Sequence, residues 1–135
     1  MREIKFRGQS NRVWNKRGKW VYGDCLHEAS GLAIWSKVPG GFQNIPVISD
    51  TVGQYTGMKD STGKEIYEGD IVRTDDEDEE LAMIEWGDDT LKFMVTHGNV
   101  CSDLGEYYPR EIEVVGNMYD DPELLGGAHD EQSMK

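Results

Sequence analysis

The chain has 135 residues, 37% of them apolar, and a net charge of −12 at pH 7. That length suits one domain, or one with a small appendage, and buries roughly two thirds of the unfolded surface without staples. No apolar run approaches the ~20 residues of a membrane span. The start "MREIKFRGQSNRVW" has no apolar signal region, and two cysteines, Cys25 and Cys101, make no disulfide framework. These features predict a cytoplasmic protein with reduced thiols and no membrane partner.

The charge is unevenly spread. Residues 1–74 carry 11 Lys+Arg against 8 Asp+Glu, whereas residues 75–135 carry 3 against 18. The first twenty residues hold seven cations and one acid, Glu3. A basic start can meet nucleic acid. It can equally meet the acidic end of another copy, a head-to-tail contact that closes into a ring when the rotation permits. A third reading is solvated surface.

In chain order the dominant period is two, which predicts strands. "EIKFRG" places Ile4 and Phe6 on one face, "NKRGK" supplies a turn, and residues 20–27 return as a second strand. Residues 32–38 form a third apolar run, ended by Pro39-Gly40-Gly41. "QNIPVIS" reads as a short edge segment, since Pro46 is tolerated there. Residues 59–64 are a dense turn signal with Gly63 in the left-handed position. Residues 65–67 are a short extended piece. Glu68-Gly69-Asp70 is a second tight turn that launches "IVRT".

Six consecutive acids at 75–80 repel one another and predict a mobile loop or hairpin tip. "LAMIEWG" and "LKFMVTH" flank residues 87–90 as a hairpin, with Leu91, Phe93 and Val95 on one face and Lys92, Met94 and Thr96 on the other. "NVCSDLGEYYPRE" reads as an irregular connection. Residues 111–119 are the last strand, with Ile112, Val114, Gly116 and Met118 on one face; the interior Gly116 predicts a bulge or a close backbone approach. Asp121-Pro122 then opens one helical turn, with Asp121 as N-cap, and residues 126–135 form a disordered polar tail. The expected fold is mainly β: a barrel-like or sandwich-like body of short antiparallel strands with one C-terminal helical turn. It spans 1–125 as one domain, or as two β subdomains at about 1–55 and 56–125. Gly57, Gly63, Gly69, Asp70, Gly116 and Pro122 are its structural turn residues.

"GQYTGMKDSTGKEIYEGDIV" and "EIEVVGNMYDDPELL", with "KFRG" and "GKWVYGD" at the start, resemble the YopX family of phage and prophage proteins over roughly residues 4–125. Met58 and Met118 stand where Leu or Ile is expected, a change of little consequence for packing. The resemblance implies a mainly-β fold, a phage or prophage setting and a homo-oligomer such as a ring. It implies no established activity and no catalytic residue.

The residues themselves offer little chemistry. "GDCLHE" brings Asp24, Cys25, His27 and Glu28 together in sequence, but Cys25 and His27 on one strand face lie about 6–7 Å apart at the backbone, beyond direct activation of the thiol. Three His and two Cys lack a zinc spacing, and the acidic run lacks the central glycine of a calcium loop. His97 and His129 read as isolated surface residues. The expectation is therefore no catalytic residue, no cofactor and no metal. Arg7, Arg12, Trp14, Lys16, Arg17 and Lys19 are candidate contacts to nucleic acid or a second subunit, since aromatic platforms among cations hold single strands. Against nucleic acid stands the chain's overall negative charge. The acidic half suggests a further alternative, a DNA mimic that occupies a basic groove on a host protein. The leading expectation is a non-enzymatic, self-associating module.

Overall fold

A computed structural model describes residues 3–11, 19–75 and 81–125. The expected acidic loop, apart from Asp75, and the tail from 126 onward lie outside those residues. The chain forms two compact units, residues 1–57 and 58–135.

In the first unit, β1 (Phe6–Gln9), β2 (Trp20–Glu28), β3 (Gly31–Val38), β4 (Gly41–Pro46) and β5 (Gly53–Lys59) pair in the order β4-β3-β2-β1-β5. These strands pair antiparallel: Phe6 lies opposite Gly23 and also opposite Gln54, Trp35 opposite both Asp24 and Asn44. Ala33, Ile34, Val47 and Tyr55 are buried. Close packing at Gly8 explains the residue: a methyl there would sit 3.1–3.3 Å from Val47 and Val52. A 3-10 turn at Ser49–Thr51, which the sequence does not announce, lets Thr51 Oγ1 accept from Gln9 N (2.9 Å) and donate to Ile48 O (2.6 Å). Two expectations shift. Ile4 precedes β1 and is exposed, so the strand that carries Phe6 does not include it. The edge segment begins at Gly41 and is a full six-residue strand, because Pro39-Gly40, with Gly40 at φ +91°, is a two-residue turn rather than a stop.

β5 runs past the unit boundary to Lys59, and β6 (Glu65–Tyr67) folds back on it. The second unit's sheet then takes β7 (Asp70–Thr74), β8 (Leu81–Gly87), β9 (Lys92–His97), β10 (Val100–Asp103) and β11 (Ile112–Asn117) in the order β10-β9-β8-β7-β11. Its core is Ile66, Val72, Ala82, Ile84, Val95, Leu104 and Ile112, with Met58, Phe93, Tyr107 and Val114 packed against it. The fold is thus mainly β and antiparallel, with one helical turn at 123–125. In the first unit an isolated bridge between Ser10 and Val47, flanked by bonds from Asn11 N to Pro46 O and from Ile48 N to Gln9 O, ties the end of β1 to the residues that follow β4.

Four expectations are corrected here. Leu91 does not join Phe93 and Val95; it sits in the β8–β9 turn at φ +57° and is exposed. Residues 99–111 are not irregular: Gly98, at φ +55°, turns β9 into β10, and 3-10 turns at Leu104–Glu106 and Pro109–Glu111 follow. Asp103 caps the first of them through Gly105 N at 2.8 Å, which, with Lys92 at 3.1 Å, holds its carboxyl below the usual range. Met118 leaves the face shared by Ile112 and Val114, because the register slips between Val114 and Gly116 and the strand ends at Asn117. His97 is half-buried, its Nε2 3.4 Å from Thr74 Oγ1, rather than a surface residue.

Candidate functional site

The stretch that carries the resemblance most specifically is built as a clamp. Asp60 is buried, 4% exposed. Its Oδ1 accepts from Thr62 N (2.8 Å), Thr62 Oγ1 (2.7 Å) and Lys64 N (2.9 Å), which closes the 60–64 turn on itself. Its Oδ2 accepts from Val114 N at 2.9 Å, across 54 residues of chain. Ser61 N adds a bond to Ile112 O at 2.8 Å, so the turn is docked on β11. Burial opposes the charge, but four donors outweigh it, and the carboxyl is held below its usual range. Gly63, at φ +89°, supplies the left-handed position.

Ten residues on, Asp70 repeats the device. It is 1% exposed, and its Oδ2 accepts from Tyr67 N at 2.7 Å around the turn it closes. Gly69, at φ +91°, donates to Ile84 O and accepts from Met118 N, with the Tyr119 ring 3.0 Å from where a methyl would stand. The closing motif completes the arrangement. Asn117 Oδ1 accepts from Tyr119 N and Asp120 N. The Asp121 carboxylate accepts from Asn117 N at 3.2 Å, while its backbone carbonyl accepts from Leu124 N at 3.0 Å at the start of the helical turn. Gly116 is where a methyl would meet Asp121 Oδ2 at 2.7 Å and Leu124 at 2.8 Å, so the bulge and the close approach coincide. Pro122 accepts from Leu125 N in the turn that brings Leu124 there.

These carboxylates thus hold backbone N–H groups. The "GDCLHE" residues are likewise distributed along β2: Asp24, His27 and Glu28 are exposed, and Glu28 accepts from Asn44 Nδ2 at 2.6 Å. Among the described residues no group of three or more His, Cys, Asp or Glu could hold a metal ion. Burial pushes the Cys25 thiol pKa up. At neutral pH Cys25 is therefore expected to react with a thiol reagent such as DTNB far more slowly than exposed Cys101. Mass spectrometry of the partly labelled protein checks this; equal labelling at the two positions refutes it.

The first unit carries a different kind of surface. On one face of its sheet Trp35 and Phe42 stack in parallel, centroids 5.8 Å apart and planes within 4°, while remaining 43% and 58% exposed. The register explains the contact: Lys37 faces Phe42 and Trp35 faces Asn44, so the two rings are diagonal neighbours. Tyr22 lies exposed on β2, opposite Arg7. Of the expected contact residues, Arg7 is 4% exposed with its guanidinium 4.5 Å over the Trp20 ring; this places it in the packing of β1 on β2. Lys19 is exposed, and its backbone bonds to Ser10. Arg12, Trp14, Lys16 and Arg17 lie outside the described residues. Gly57 takes φ +91° within β5. The sequence signal for the Trp35–Phe42 stack is Pro39-Gly40, since a two-residue turn there sets Phe42 opposite Lys37 and diagonal to Trp35.

Antiparallel sheets of short strands, with turns clamped by the buried Asp60 and Asp70, define a mainly-β protein. The family model described as "YopX protein" matches residues 6–126, and the chain belongs to the YopX family. No curated protein matches. Among solved structures, the crystal structure of protein EF1440 from Enterococcus faecalis is similar, at 24% identity and a TM-score of 0.58, covering 93% of this chain and 99% of that one. That likeness concerns the fold alone.

Proposed function

We propose that this YopX-family chain is a phage or prophage protein that acts, without catalysing a reaction, as a self-associating structural or interaction module in the host cytoplasm. The observation that carries the reading is the Trp35–Phe42 stack, exposed on the sheet face of the first unit. Paired large rings left in water are characteristic of surfaces that meet another protein. The charge division supports it: residues 1–57 carry 8 Lys+Arg and 4 Asp+Glu, residues 58–135 carry 6 and 22. Such polarity favours contact between unlike parts of two copies. The phage setting rests on the family resemblance. No described helix is long and apolar enough to cross a membrane.

Light scattering coupled to size exclusion tests the reading. At tens of micromolar the mass is expected to exceed that of the 15.3 kDa chain. Raising salt from about 0.05 to about 0.5 M is expected to weaken whatever part of the contact is electrostatic. A strict monomer at both salts removes the assembly claim. A salt-sensitive gel shift with single-stranded DNA would instead support the nucleic-acid alternative.

A further inference from the structure

The end of the β8–β9 hairpin carries a feature that the packing of the second unit does not require. Leu91 is the one non-glycine residue at positive φ among the described residues, at φ +57°, and it is 71% exposed. A left-handed backbone disfavours a residue with a Cβ, and Gly or Asn would relieve it. Water disfavours the leucine side chain as well. Neither the backbone nor burial within the unit accounts for a leucine at this position. Trp86 stands beside the same turn. It pairs with Phe93 one step before the closing pair of Gly87 and Lys92, meets that ring edge-on with centroids 5.0 Å apart, and stays 42% exposed. Asp88 and Asp89, both exposed, lie in the turn between Trp86 and Leu91. The hairpin thus ends in two large apolar side chains and two carboxylates.

The face of the first unit that holds Trp35 and Phe42 is the counterpart. Lys37 is exposed and lies directly opposite Phe42, so it shares that face and flanks the stack. The one acid directly across from the stack is Asp24, which faces Trp35 from β2, on the side away from Phe42. Among the described residues neither Lys37 nor Asp88 nor Asp89 is in an ion pair. One copy therefore carries an apolar knob beside unpaired acids and, on its other unit, an aromatic face beside an unpaired cation.

We infer that the β8–β9 hairpin end of one copy docks on the Trp35–Phe42 face of the next, with Leu91 and Trp86 against the rings and Asp88 and Asp89 toward Lys37. The inference rests on the self-association proposed above and names its two surfaces. Charge selects the occupant. Pairing like with like would set Asp88 and Asp89 against their own counterparts, and Lys37 against Lys37. Pairing the unlike surfaces sets opposite charges together at a contact that takes the rings and Leu91 out of water. The same choice holds for the whole units, since residues 1–57 carry 8 Lys+Arg and 4 Asp+Glu and residues 58–135 carry 6 and 22. Because the two surfaces differ, the contact is head-to-tail, and the first and last copies keep an unused surface unless a ring closes.

The test uses the full chain and light scattering. Leu91→Gly relieves the backbone while removing the docking side chain. Its melting temperature is expected to stay close to that of the wild type, and its mass to fall to that of the 15.3 kDa chain. Phe42→Asp, which puts an acid where the hairpin's acids dock, is expected to fall to the same mass; Lys37→Glu takes its place if Phe42→Asp misfolds. The two variants are then mixed in equal amounts. Leu91→Gly keeps an intact face and Phe42→Asp an intact hairpin end. The mixture is therefore expected to form a dimer of about twice the 15.3 kDa chain mass, which a contact between like surfaces does not produce. If the wild type associates but either folded variant keeps its mass, or the mixture stays monomeric, this docking is wrong and self-association stands. If the wild type is monomeric, both fall.

Discussion

Asp60→Ala is expected to lower the unfolding free energy by about 4 kcal/mol. The carboxylate is buried and receives four hydrogen bonds, three from within its own turn and one from Val114 on β11. Alanine leaves the half-buried N–H of Val114 without that acceptor, and an unsatisfied buried donor costs about 1–3 kcal/mol, while the N–H groups of exposed Thr62 and Lys64 lose the bonds that close the turn. Asp60→Asn separates two parts of the effect. Its carbonyl can keep the three bonds within the turn, but its amide nitrogen then faces the Val114 N–H. A loss of about 2 kcal/mol is expected. Urea titration at neutral pH measures both. If Asp60→Ala is as stable as the wild type, the turn is not a clamp.

The same group sets a pH dependence. Its folded carboxyl lies below the usual range, while in the unfolded chain it titrates near about 4. The stabilisation is therefore complete above about pH 4 and lost as pH falls through the lower, folded value. Asp60→Asn has no such titration. Its stability is expected to fall less steeply than that of the wild type as pH drops below about 4, so the two curves converge in acid. Parallel curves would assign the acid sensitivity to other carboxylates, of which Asp103 is one held below its usual range.

Gly23→Ala is the other change with a large expected effect. Gly23 sits in β2 between β1 and β3, opposite Phe6 on one side and Ser36 on the other, at φ +153°. A methyl at this position would stand 2.0 Å from Trp35 O and 2.9 Å from Trp35 C. Those are backbone atoms of a paired strand, so relief requires the β2–β3 ladder to move. We expect a loss of at least about 3 kcal/mol, and a melting temperature roughly 10 °C lower. The emission of Trp20 and Trp35 reports on the strands concerned. An unchanged melting temperature would mean that β2 and β3 yield at this point without cost.

Gly23 also marks a limit of sequence reading. "WVYGDCLH" shows a strand plainly enough, and nothing in it says that the glycine faces a neighbouring carbonyl. Asp60 is similar. Its place in "KDSTGK" announces a turn, because Asp, Ser and Gly bend chains for local reasons. The bond to Val114 spans 54 residues and leaves no local trace. Gly116 is the intermediate case: a glycine inside a strand predicts a bulge or a close approach, and both occur. Leu91 shows the opposite failure. Alternation predicts one face for Leu91, Phe93 and Val95, but the turn after Gly87 extends through Leu91, which is left exposed. Short β10 went unread because Val-Cys-Ser-Asp has only one strong strand former.

The sequence by itself determined what depends on near neighbours: a period of two, the glycine and aspartate bends, a charge division along the chain, and the motif that marks the family. Tertiary structure alone decided which bend grips which strand and which of the aromatic residues stack in solvent. The reason is physical. Turn and strand preferences arise from sterics and hydrogen bonds within a few residues, whereas a carboxylate's partner and a strand's neighbours are set by pairings between segments far apart in the chain, whose register no local pattern encodes.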